Sequence, residues 1–420
     1  MAATTAHVYP EASAVREGRL SVGGCDAVEL AREHGTPAYV VAEDDLRARA
    51  REFAAALAAH HDGAGEVVFA SKAFPCTAAL RVFAEEGLGC DVASGGELYL
   101  ALRAGFAPGR LYLHGNAKSQ AELRMAVDAG VGTIVLDNAH EAERLAALTR
   151  EAGRPQRVLL RVAPGVDADT HEAILTGQAG SKFGFAPGEA RALAAAPPAG
   201  LDVAGLHMHL GSQLFSLEPF RRAIAALAGV GEFGVYDLGG GLGVPYTRED
   251  PALAPEAWVA GVVAAAHAEL GASRTLVLEP GRALVASAGV TLYTVESVKR
   301  GAAGELLVAV DGGMSDNLRP MLYGAGYEAD VADRFGAGGD VMCTVVGKHC
   351  ESGDVLVRDV RLPDPHPGDV LVTPVTGAYG HAMANNYNGV PRPPVVFCSG
   401  GRSRTVVRRE TYEDLHGRDV

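Results

Sequence analysis

Short apolar runs in this chain end on residues that can do nucleophilic or acid–base chemistry. The first run is VVFAS before Lys72, and later runs end on Asp91, His114, Asp137, Arg161, His209, Asp237 and Glu279. A lysine that is desolvated at a strand end has a lowered pKa and becomes an amine nucleophile, which suggests Schiff-base chemistry. Taken alone, Lys72 would be interpreted as a strand-end lysine that reaches water. The only other lysines are Lys118, Lys182, Lys299 and Lys348.

A histidine pair and a glycine triplet offer groups that suit a flat, phosphorylated ligand. In GLHMHLGSQ, His207 and His209 would share one face of a strand, and Ser212 offers a hydroxyl to a phosphate. His209 could be an aromatic plate against the ligand, a packed barrel histidine, or part of a metal site with no third ligand identifiable. In DLGGGLG, backbone N–H groups can approach a phosphate closely because no Cβ intervenes.

The segment LEPGR places Glu279 and Arg282 around a Pro-Gly turn. A carboxylate here could accept a hydrogen bond from a protonated ring nitrogen, which keeps the ring cationic and makes it a stronger electron sink. The turn at Gly281 also leaves backbone N–H groups free for a phosphate. An internal ion pair between Glu279 and Arg282 is the simpler structural interpretation of the same residues.

The last part of the chain contains DGGMSDNLRPMLYGAGY, KHCESGD and GAYGHAMANNYN. A sheet domain has little structural use for the polar and aromatic residues in these glycine-rich contexts, which are Arg319, Tyr323, Cys350, Glu351 and Tyr379. Cys350 could be an ordinary buried thiol. It could also be a proton donor, because a thiol titrates in a useful range near neutral pH.

The elements that must position these residues follow from the spacing of the apolar runs. From Val67 to about Ala283 the runs alternate with alanine-rich, helix-like stretches, which is typical of an α/β chain that forms a (β/α)8 TIM barrel. Barrel strands are buried on both faces, and catalytic groups lie at their C-terminal ends. Barrels often bind phosphate after the seventh and eighth strands, where the glycine triplet and LEPGR lie. Ser94 and Ser119 are expected to cap helices.

The chain is too long for one barrel. It has 420 residues, whereas a barrel takes about 250. After Ala288, segments such as VTLYTVESVK and VLVRDVRL follow one another without long helices, which predicts an antiparallel β-sandwich or barrel domain. The predicted organisation is an N-terminal segment, 1–36, that packs with the C-terminal domain, a barrel over 37–284, and a β-rich domain over 285–420.

Composition excludes several classes of function. Hydrophobic residues make up 48% of the chain, and the net charge of −14 argues against nucleic-acid binding. The N-terminus lacks the basic and apolar regions of a secretory signal, and the apolar stretch near Trp258 is too short to span a membrane. The six cysteines show no CxxC pair and no zinc-type spacing, which indicates reduced thiols in a cytoplasmic protein.

Nine motifs, in order along the chain, resemble the pyridoxal-phosphate-dependent decarboxylases of the alanine racemase-like fold. They are FASKAF, DVASGGEL, HGNAKS, GLHMHLGSQ, DLGGGLG, EPGR, DGGMSDN, GKHCESGD and GAY. The resemblance implies a pyridoxal 5'-phosphate cofactor, and it is strongest to the members that convert meso-2,6-diaminopimelate into L-lysine and CO2. It also implies a homodimer with shared active sites, because Cys350 and Glu351 reach the site of the other protomer in this family.

The resemblance assigns roles residue by residue. Lys72 would hold the cofactor covalently and Cys350 would protonate the carbanion left after CO2 departs, so these two are the expected catalytic residues. Cofactor contacts are expected from Lys72, His209, Ser212, Gly239, Gly240, Gly241, Glu279, Gly281, Arg282 and Tyr379. Substrate contacts are expected from Arg282, Arg319, Tyr323, Glu351 and Tyr379. No metal is expected.

The chemistry of these residues agrees with the resemblance and separates the alternatives. Arginines suit a distal carboxylate through bidentate contacts, and Glu351 suits a distal ammonium group. A decarboxylase of ornithine, lysine, arginine or carboxynorspermidine is the nearest alternative, but a substrate without a distal carboxylate would not need Arg319 and Tyr323. A racemase would want an arginine instead of Glu279. A non-catalytic cofactor-binding protein would have no use for Cys350 and Glu351.

Overall fold

The computed structural model describes residues 7–166, 181–302 and 304–420. The strands, numbered along the chain, are β1 (Ser13–Arg16), β2 (Arg19–Val22), β3 (Cys25–Asp26), β4 (Ala38–Ala42), β5 (Gly65–Ala70), β6 (Gly89–Val92), β7 (Leu111–Leu113), β8 (Thr133–Leu136), β9 (Gln156–Arg161), β10 (Leu201–His207), β11 (Val235–Asp237), β12 (Thr275–Leu278), β13 (Gly289–Arg300), β14 (Leu306–Val310), β15 (Asp330–Val331), β16 (Val341–Val346), β17 (Val355–Leu362), β18 (Val370–Thr373), β19 (Val395–Ser399) and β20 (Arg402–Val407).

The α-helices are numbered in the same way. They are α1 (Ala27–His34), α2 (Glu43–His60), α3 (Thr77–Glu85), α4 (Gly95–Ala104), α5 (Gln120–Ala129), α6 (Ala139–Ala152), α7 (Pro187–Ala195), α8 (Glu218–Ala228), α9 (Pro255–Leu270), α10 (Arg282–Val285), α11 (Arg319–Tyr323), α12 (Gly380–Met383) and α13 (Tyr412–His416). None of these helices has the length and apolar character needed to cross a membrane.

The chain divides into two compact units, which we describe separately. The barrel unit comprises Arg49–Gly243 and Ala252–Ala283. The β unit comprises the chain up to Ala48, the short segment Val244–Pro251, and the chain from Leu284 onward.

Eight parallel strands close the barrel unit in the order β10-β11-β12-β5-β6-β7-β8-β9. One helix, from α3 to α9 in turn, lies between each successive pair of these strands along the chain. The eight apolar runs are therefore the eight barrel strands, and the predicted (β/α)8 barrel is confirmed. One expectation is wrong: β10 ends at His207, so His209 lies in the loop beyond the strand rather than on a shared strand face.

The core of the barrel unit is built from β-branched and aromatic residues that the strands point away from solvent. One buried side chain from each of six strands joins a single cluster, consisting of Val68, Tyr112, Val135, Leu159, Val235 and Val277. Around the barrel, the fully buried Trp258 of α9 packs edge-on against Phe53 and Phe220. Burial of each large apolar side chain stabilises the fold by about 1.5–3 kcal/mol.

Helix starts in the barrel unit follow the capping residues of the sequence. The Ser94 hydroxyl accepts a hydrogen bond from the amide of Glu97, and Ser119 forms a capping box with Glu122. Both predicted caps are confirmed. Because each cap lies just after a strand, it fixes where the chain leaves the rim of the barrel and turns back as a helix.

The β unit contains a large sheet with the order β17-β16-β14-β13-β4-β19-β20, to which β18 and β15 are added through β13. The sheet is mixed rather than antiparallel as predicted, because β14 pairs with β16 and β4 pairs with β19 in parallel. A parallel pair needs a crossover connection, and the chain between β14 and β16 contains α11 and β15. Sequence alternation reports strands but does not report their relative direction.

Two N-terminal elements also belong to the β unit. The apolar run that forms β4 falls within the barrel range 37–284 that the sequence predicts, but the strand pairs with β13 and β19 of the β unit. The small sheet β1-β2-β3 is linked to the later chain by backbone hydrogen bonds, in which the amide of Leu20 donates to Ala332 and the amide of Phe335 donates to Gly18.

Candidate active site

The C-terminal ends of the barrel strands bring polar side chains of distant sequence positions to one rim. The last residue of β10, His207, pairs in register with Arg161 of β9 and Asp237 of β11. His114 and Glu279 directly follow β7 and β12. Parallel strands leave the barrel on the same side, and this explains why residues from five strands meet.

Glu279 lies at the centre of this group and is only 4% exposed. Its Oε1 atom is 2.8 Å from His114 Nε2, and its Oε2 atom is 3.3 Å from His207 Nε2. His114 Nε2 is in turn 3.8 Å from Asp91 Oδ1. The carboxylate is therefore held from two sides by imidazole rings.

Burial and the two histidines shift the pKa values of this group in different directions. Burial alone would raise the pKa of Glu279, but His114 and His207 outweigh it and hold that pKa well below its usual range. Burial, followed by the adjacent Glu279, raises the pKa of Asp237 well above its usual range. Burial also lowers the pKa of His207 to about 3. Burial therefore favours the protonated form of Asp237 and the neutral form of His207, whereas the two histidines favour the ionised form of Glu279.

Sequence reasoning missed the partners of Glu279. The sequence showed no third metal ligand beside the histidine pair, but the structure places one ligand atom from each of His114, His207, Asp237 and Glu279 within 4.8 Å of one another. Imidazoles and carboxylates are ordinary zinc ligands. The only signal in the sequence was the polar residue at each strand end, because spacing along the chain does not report which ends meet.

Lys72 lies in the turn Ser71–Ala73 directly after β5, and its side chain is exposed. Within the described residues, no carboxylate oxygen lies within 4.0 Å of its amine. Burial lowers the pKa of His209, and the charge of Lys72 lowers it further. The Lys72 amine is therefore exposed and available for chemistry on this rim.

The other lysines have different surroundings. Lys118 is 4% exposed and donates hydrogen bonds to Glu141 Oε1 at 2.6 Å and to the carbonyls of Gly115 and Val135 at 2.7 and 2.6 Å. These three acceptors use all its protons, so Lys118 is a structural residue. Lys182 lies over the ring of Phe183, and Lys299 and Lys348 are exposed in the β unit.

Loops after the sixth, seventh and eighth barrel strands meet at one corner of the rim. The Ser212 hydroxyl accepts hydrogen bonds from Nε and Nη2 of Arg282 at 3.1 and 2.8 Å. A Cβ at Gly240 would lie 2.1 Å from the carbonyl oxygen of Glu279, so only glycine allows these two loops to pack. Gly241 has a φ of +123°, and a Cβ there would lie 2.8 Å from the Gly211 carbonyl oxygen. This corner combines backbone, hydroxyl and guanidinium donors, as anion sites do.

The remaining predicted barrel residues tie this corner to the rest of the rim. The Gly240 amide is 3.5 Å from His209 Nδ1, and the amide of Glu279 donates to the carbonyl of Gly239 at 2.8 Å. A Cβ at Gly281 would lie 3.0 and 3.2 Å from the side chains of Ala70 and Ala73, which flank the Lys72 turn. The structure thus places the glycine triplet, the loop of His209 and Ser212, and the turn of Gly281 and Arg282 in contact on this rim.

In the β unit, Arg319 is a buried cation without an acidic partner. It is 6% exposed, and among the described residues no carboxylate oxygen lies within 4.0 Å of it and its Nε has no hydrogen-bond partner. Its Nη1 donates to the Tyr327 hydroxyl at 2.6 Å, and its guanidinium carbon lies 4.1 Å from the ring centroid of Tyr246. A buried charge is costly unless it is paired, so this arrangement is suited to binding an anion.

Two further predicted residues lie near Arg319. Tyr323 is four residues later on α11, on the same face of the helix as Arg319. Tyr379 has left-handed backbone geometry, with a φ of +66°, at the start of α12, and its ring is one of the groups that interact electrostatically with Arg319.

Cys350 and Glu351 occupy the turn between β16 and β17. Cys350 is exposed, whereas the other five cysteines are buried, so the interpretation of Cys350 as a buried thiol is wrong. The Cys350 amide donates to Asn388 Oδ1 at 2.9 Å, and Glu351 accepts a hydrogen bond from the Tyr387 hydroxyl. Cys350 and Glu351 are therefore both exposed to solvent in the single chain.

Comparison with known proteins identifies what the chain is similar to. Residues 43–286 match the model of the family described as "Pyridoxal-dependent decarboxylase, pyridoxal binding domain". The diaminopimelate decarboxylase of Bacillus subtilis (strain 168) is 44% identical over 419 residues, covering 95% of each chain. That of Actinosynnema pretiosum subsp. auranticum is 46% identical over 427 residues, covering 98% of this chain and 95% of the relative. The crystal structure of the diaminopimelate decarboxylase of M. jannaschii in complex with L-lysine superimposes with a TM-score of 0.91, 31% identity and 98% coverage of both chains.

The contacts of Lys118 predict that it stabilises the barrel rather than takes part in chemistry. Lys118→Met leaves the Glu141 carboxylate buried without its partner, so the free energy of unfolding is expected to fall by about 3–5 kcal/mol. The double variant Lys118→Met/Glu141→Leu is expected to recover most of this loss. Urea unfolding followed by the fluorescence of Trp258, the only tryptophan, measures both. Lys299→Met, at an exposed site, is the control, and a single variant as stable as this control would contradict the assignment.

Proposed function

We propose that this chain, which belongs to the pyridoxal-dependent decarboxylases, removes CO2 from one end of meso-2,6-diaminopimelate and forms L-lysine, the last step of lysine biosynthesis. Relatives at 44% and 46% identity over almost the whole chain are named diaminopimelate decarboxylases. A structural neighbour with that name was crystallised with L-lysine. The reaction class follows from the family, and the choice of substrate needs a further observation.

The observation that carries the substrate assignment is the buried guanidinium of Arg319, which has no acidic partner among the residues that the structure describes. Diaminopimelate keeps a second carboxylate after the first is removed, and a bidentate arginine contact suits this group. Ornithine, lysine and arginine have no distal carboxylate, so with these substrates Arg319 would stay buried without a counter-charge, which is costly. The two tyrosine rings around Arg319 hold it by cation–π contacts and do not neutralise it.

The barrel rim fits pyridoxal 5'-phosphate. Buried Glu279, whose pKa is held well below its usual range by His114 and His207, is an ionised acceptor that suits a protonated pyridine nitrogen. The corner formed by Ser212, Gly241 and Arg282 offers the donors that a phosphate needs, in loops where a Cβ would clash. The bound cofactor supplies an electron sink for the carbanion that the loss of CO2 leaves.

The cofactor would be held by the residues that the structure groups on this rim. Lys72 would form the covalent link, His209 would lie against the ring, and Glu279 would pair with the ring nitrogen. Ionised Glu279, backed by His114 and His207, keeps that nitrogen protonated. The phosphate would be bound by Ser212, the glycine loop (Gly239, Gly240, Gly241) and the turn at Gly281 and Arg282, with Tyr379 as a further contact.

The substrate would be bound by residues with complementary charge. Arg319, together with Tyr323 and Arg282, would bind the distal carboxylate, and Tyr379 would also contact the substrate. Glu351 would bind the distal ammonium group. Cys350 would donate a proton to the carbon that loses CO2, and its exposed thiol is consistent with a group that must reach a substrate.

We further propose a homodimer in which Cys350 and Glu351 complete the active site of the other protomer. In support, both side chains are exposed in the single chain, as are the nearby apolar residues Met321 and Leu322 at 44% and 50%. A cytoplasmic location is proposed from the six free cysteines, since a reducing compartment keeps thiols unpaired.

Replacement of Lys72 tests the covalent link. Lys72→Ala is expected to lose the absorption band of the linked cofactor and all measurable CO2 release, because no amine remains at the rim. In the wild-type protein, borohydride reduction followed by peptide mapping is expected to place the label on Lys72. Lys299→Ala is the control and should keep both band and activity. A label on Lys118 or Lys182 would reject the assignment.

Replacement of Arg319 tests the substrate. Arg319→Met is expected to lower kcat/KM for meso-diaminopimelate by about a hundredfold, the value of lost charge-assisted hydrogen bonds. Arg358→Met, at an exposed arginine on β17, is the matched control. CO2 release is measured from meso-diaminopimelate, ornithine, lysine and arginine. A wild-type preference for ornithine would overturn the substrate assignment while leaving the reaction class intact.

Mixing two inactive variants tests the shared site. In a hybrid dimer with shared sites, Lys72→Ala and Cys350→Ala fall in the same site and leave the other site intact, so subunit exchange should restore one working site per hybrid and about a quarter of wild-type turnover. Mixing Lys72→Ala with Glu279→Ala should restore no activity. Both residues belong to the barrel unit, so each site of that hybrid carries one of the two changes. Failure of the first mixture to regain activity after demonstrated exchange would reject sharing.

A further inference from the structure

We propose that Tyr387 and Asn388 are positioning residues that hold Cys350 and Glu351 in their working orientation. The inference rests on the roles given to those two residues in the proposed function. Tyr387 and Asn388 lie in the segment NNYNG, in the short 3-10 turn Tyr387–Gly389. None of the roles assigned above uses this segment.

Two neighbouring residues of this turn contact two neighbouring residues of the Cys350 turn. Asn388 Oδ1 accepts a hydrogen bond from the amide of Cys350 at 2.9 Å. The Tyr387 hydroxyl donates to Oε1 of Glu351, and this contact raises the pKa of Tyr387. One contact fixes the backbone that carries the thiol, and the other fixes the direction of the carboxylate.

The turn that makes these contacts is itself well anchored. Asn388 has left-handed geometry, with φ of 55° and ψ of 20°, which asparagine adopts more readily than most residues. The Tyr387 amide donates to Asn385 Oδ1 at 3.0 Å, and the Asn385 amide donates to the carbonyl of Ser315 at 2.9 Å. Asn386 Nδ2 donates to Glu410. The turn is thus tied to two other parts of the β unit.

The base of the Cys350 turn is fixed by Asp354, and this leaves only its tip to be held. Asp354 accepts hydrogen bonds from the amide and Nδ1 of His349, at 2.9 and 2.8 Å, and from the Met314 amide at 2.7 Å. The His349 ring in turn stacks on Tyr387, with 6.2 Å between the ring centroids. Residues 350–353 are exposed, and the Asp354 amide donates to the Glu351 carbonyl within the turn at 3.1 Å. The contacts from Tyr387 and Asn388 add the link between this turn and another segment of the β unit.

Variants that remove single atoms separate these contributions. Tyr387→Phe removes the hydroxyl and keeps the ring against His349. Asn388→Gly tolerates the left-handed backbone and removes the acceptor, whereas Asn388→Asp keeps an acceptor oxygen and should rescue the loss. Tyr412→Phe, an exposed tyrosine of the same unit, is the matched control.

Hydrogen exchange of the resting holoenzyme is the first readout. Asn388→Gly is expected to speed exchange of the amides in peptide 348–354 about tenfold, the effect of one lost hydrogen bond, and Asn388→Asp is expected to match the wild-type protein. Equal exchange rates in wild type and Asn388→Gly would overturn the role of Asn388. This measurement does not depend on turnover.

Steady-state kinetics with meso-diaminopimelate is the second readout. Because Glu351 binds the distal ammonium group, Tyr387→Phe is expected to raise KM about tenfold with kcat changed less than about twofold. Asn388→Gly is expected to lower kcat more than it changes KM, since it displaces the proton donor. An unchanged KM in Tyr387→Phe would overturn the role of Tyr387.

Failure of the proposed function would look different. Full turnover in Cys350→Ala and Glu351→Gln would show that the roles given to these residues are wrong, whatever the exchange data. If those two variants lose activity while Tyr387→Phe and Asn388→Gly behave as Tyr412→Phe does in both readouts, the proposed function stands and the positioning inference is rejected.

Discussion

The closure of eight parallel strands into a barrel is the constraint on which the candidate site depends. A parallel strand can enter such a barrel only from one side, so all the C-terminal ends face the same rim. This rule brings Lys72, His209, Glu279 and Arg282 together although more than 200 positions separate the first from the last. It also explains why their partners come from other strands, because neighbours around the rim are set by strand order and register.

The rim is electrostatically costly, and this cost is characteristic of a site selected for function rather than stability. Burial raises the pKa of Asp91 to about 6 and lowers that of His207 to about 3, so the charged form of each group is disfavoured at the rim. Glu279 is the exception, because His114 and His207 hold it ionised. A buried carboxylate that stays ionised is what a protonated ring nitrogen requires.

The chain contains two different arrangements that are suited to binding anions. At the barrel rim, the donors are backbone amides, a hydroxyl and Arg282, which Ser212 already orients. In the β unit, Arg319 is oriented by tyrosines that supply ring faces and one hydroxyl and no opposing charge. The first arrangement suits a phosphate that stays bound. The second suits a carboxylate that binds and leaves with the substrate, because no acidic side chain among the described residues pairs with the guanidinium.

Much of the barrel and of its rim could be predicted from local features of the sequence. The eight apolar runs, the serine caps and the glycine loop predicted the barrel and the side of the rim that carries Ser212, Gly241 and Arg282. These features could be predicted because strand burial, helix capping and close backbone approach each depend on residue types within a few positions. Motif resemblance extended the prediction to Cys350 and Arg319, which no periodicity would have singled out.

Tertiary structure alone decided the features that depend on which elements become neighbours. A continuously apolar strand has the same sequence pattern in a barrel and in a mixed sheet, so the sequence placed β4 in the wrong unit. For the same reason the parallel strand pairs of the β unit were not predicted. The histidines behind Glu279, the missing counter-charge of Arg319 and the hold of Tyr387 and Asn388 on the Cys350 turn are likewise contacts between distant segments. The sequence specifies which functional groups each segment carries. Only the packed chain specifies which of these groups come into contact, because hydrogen bonds and charges act over distances of a few ångströms in space.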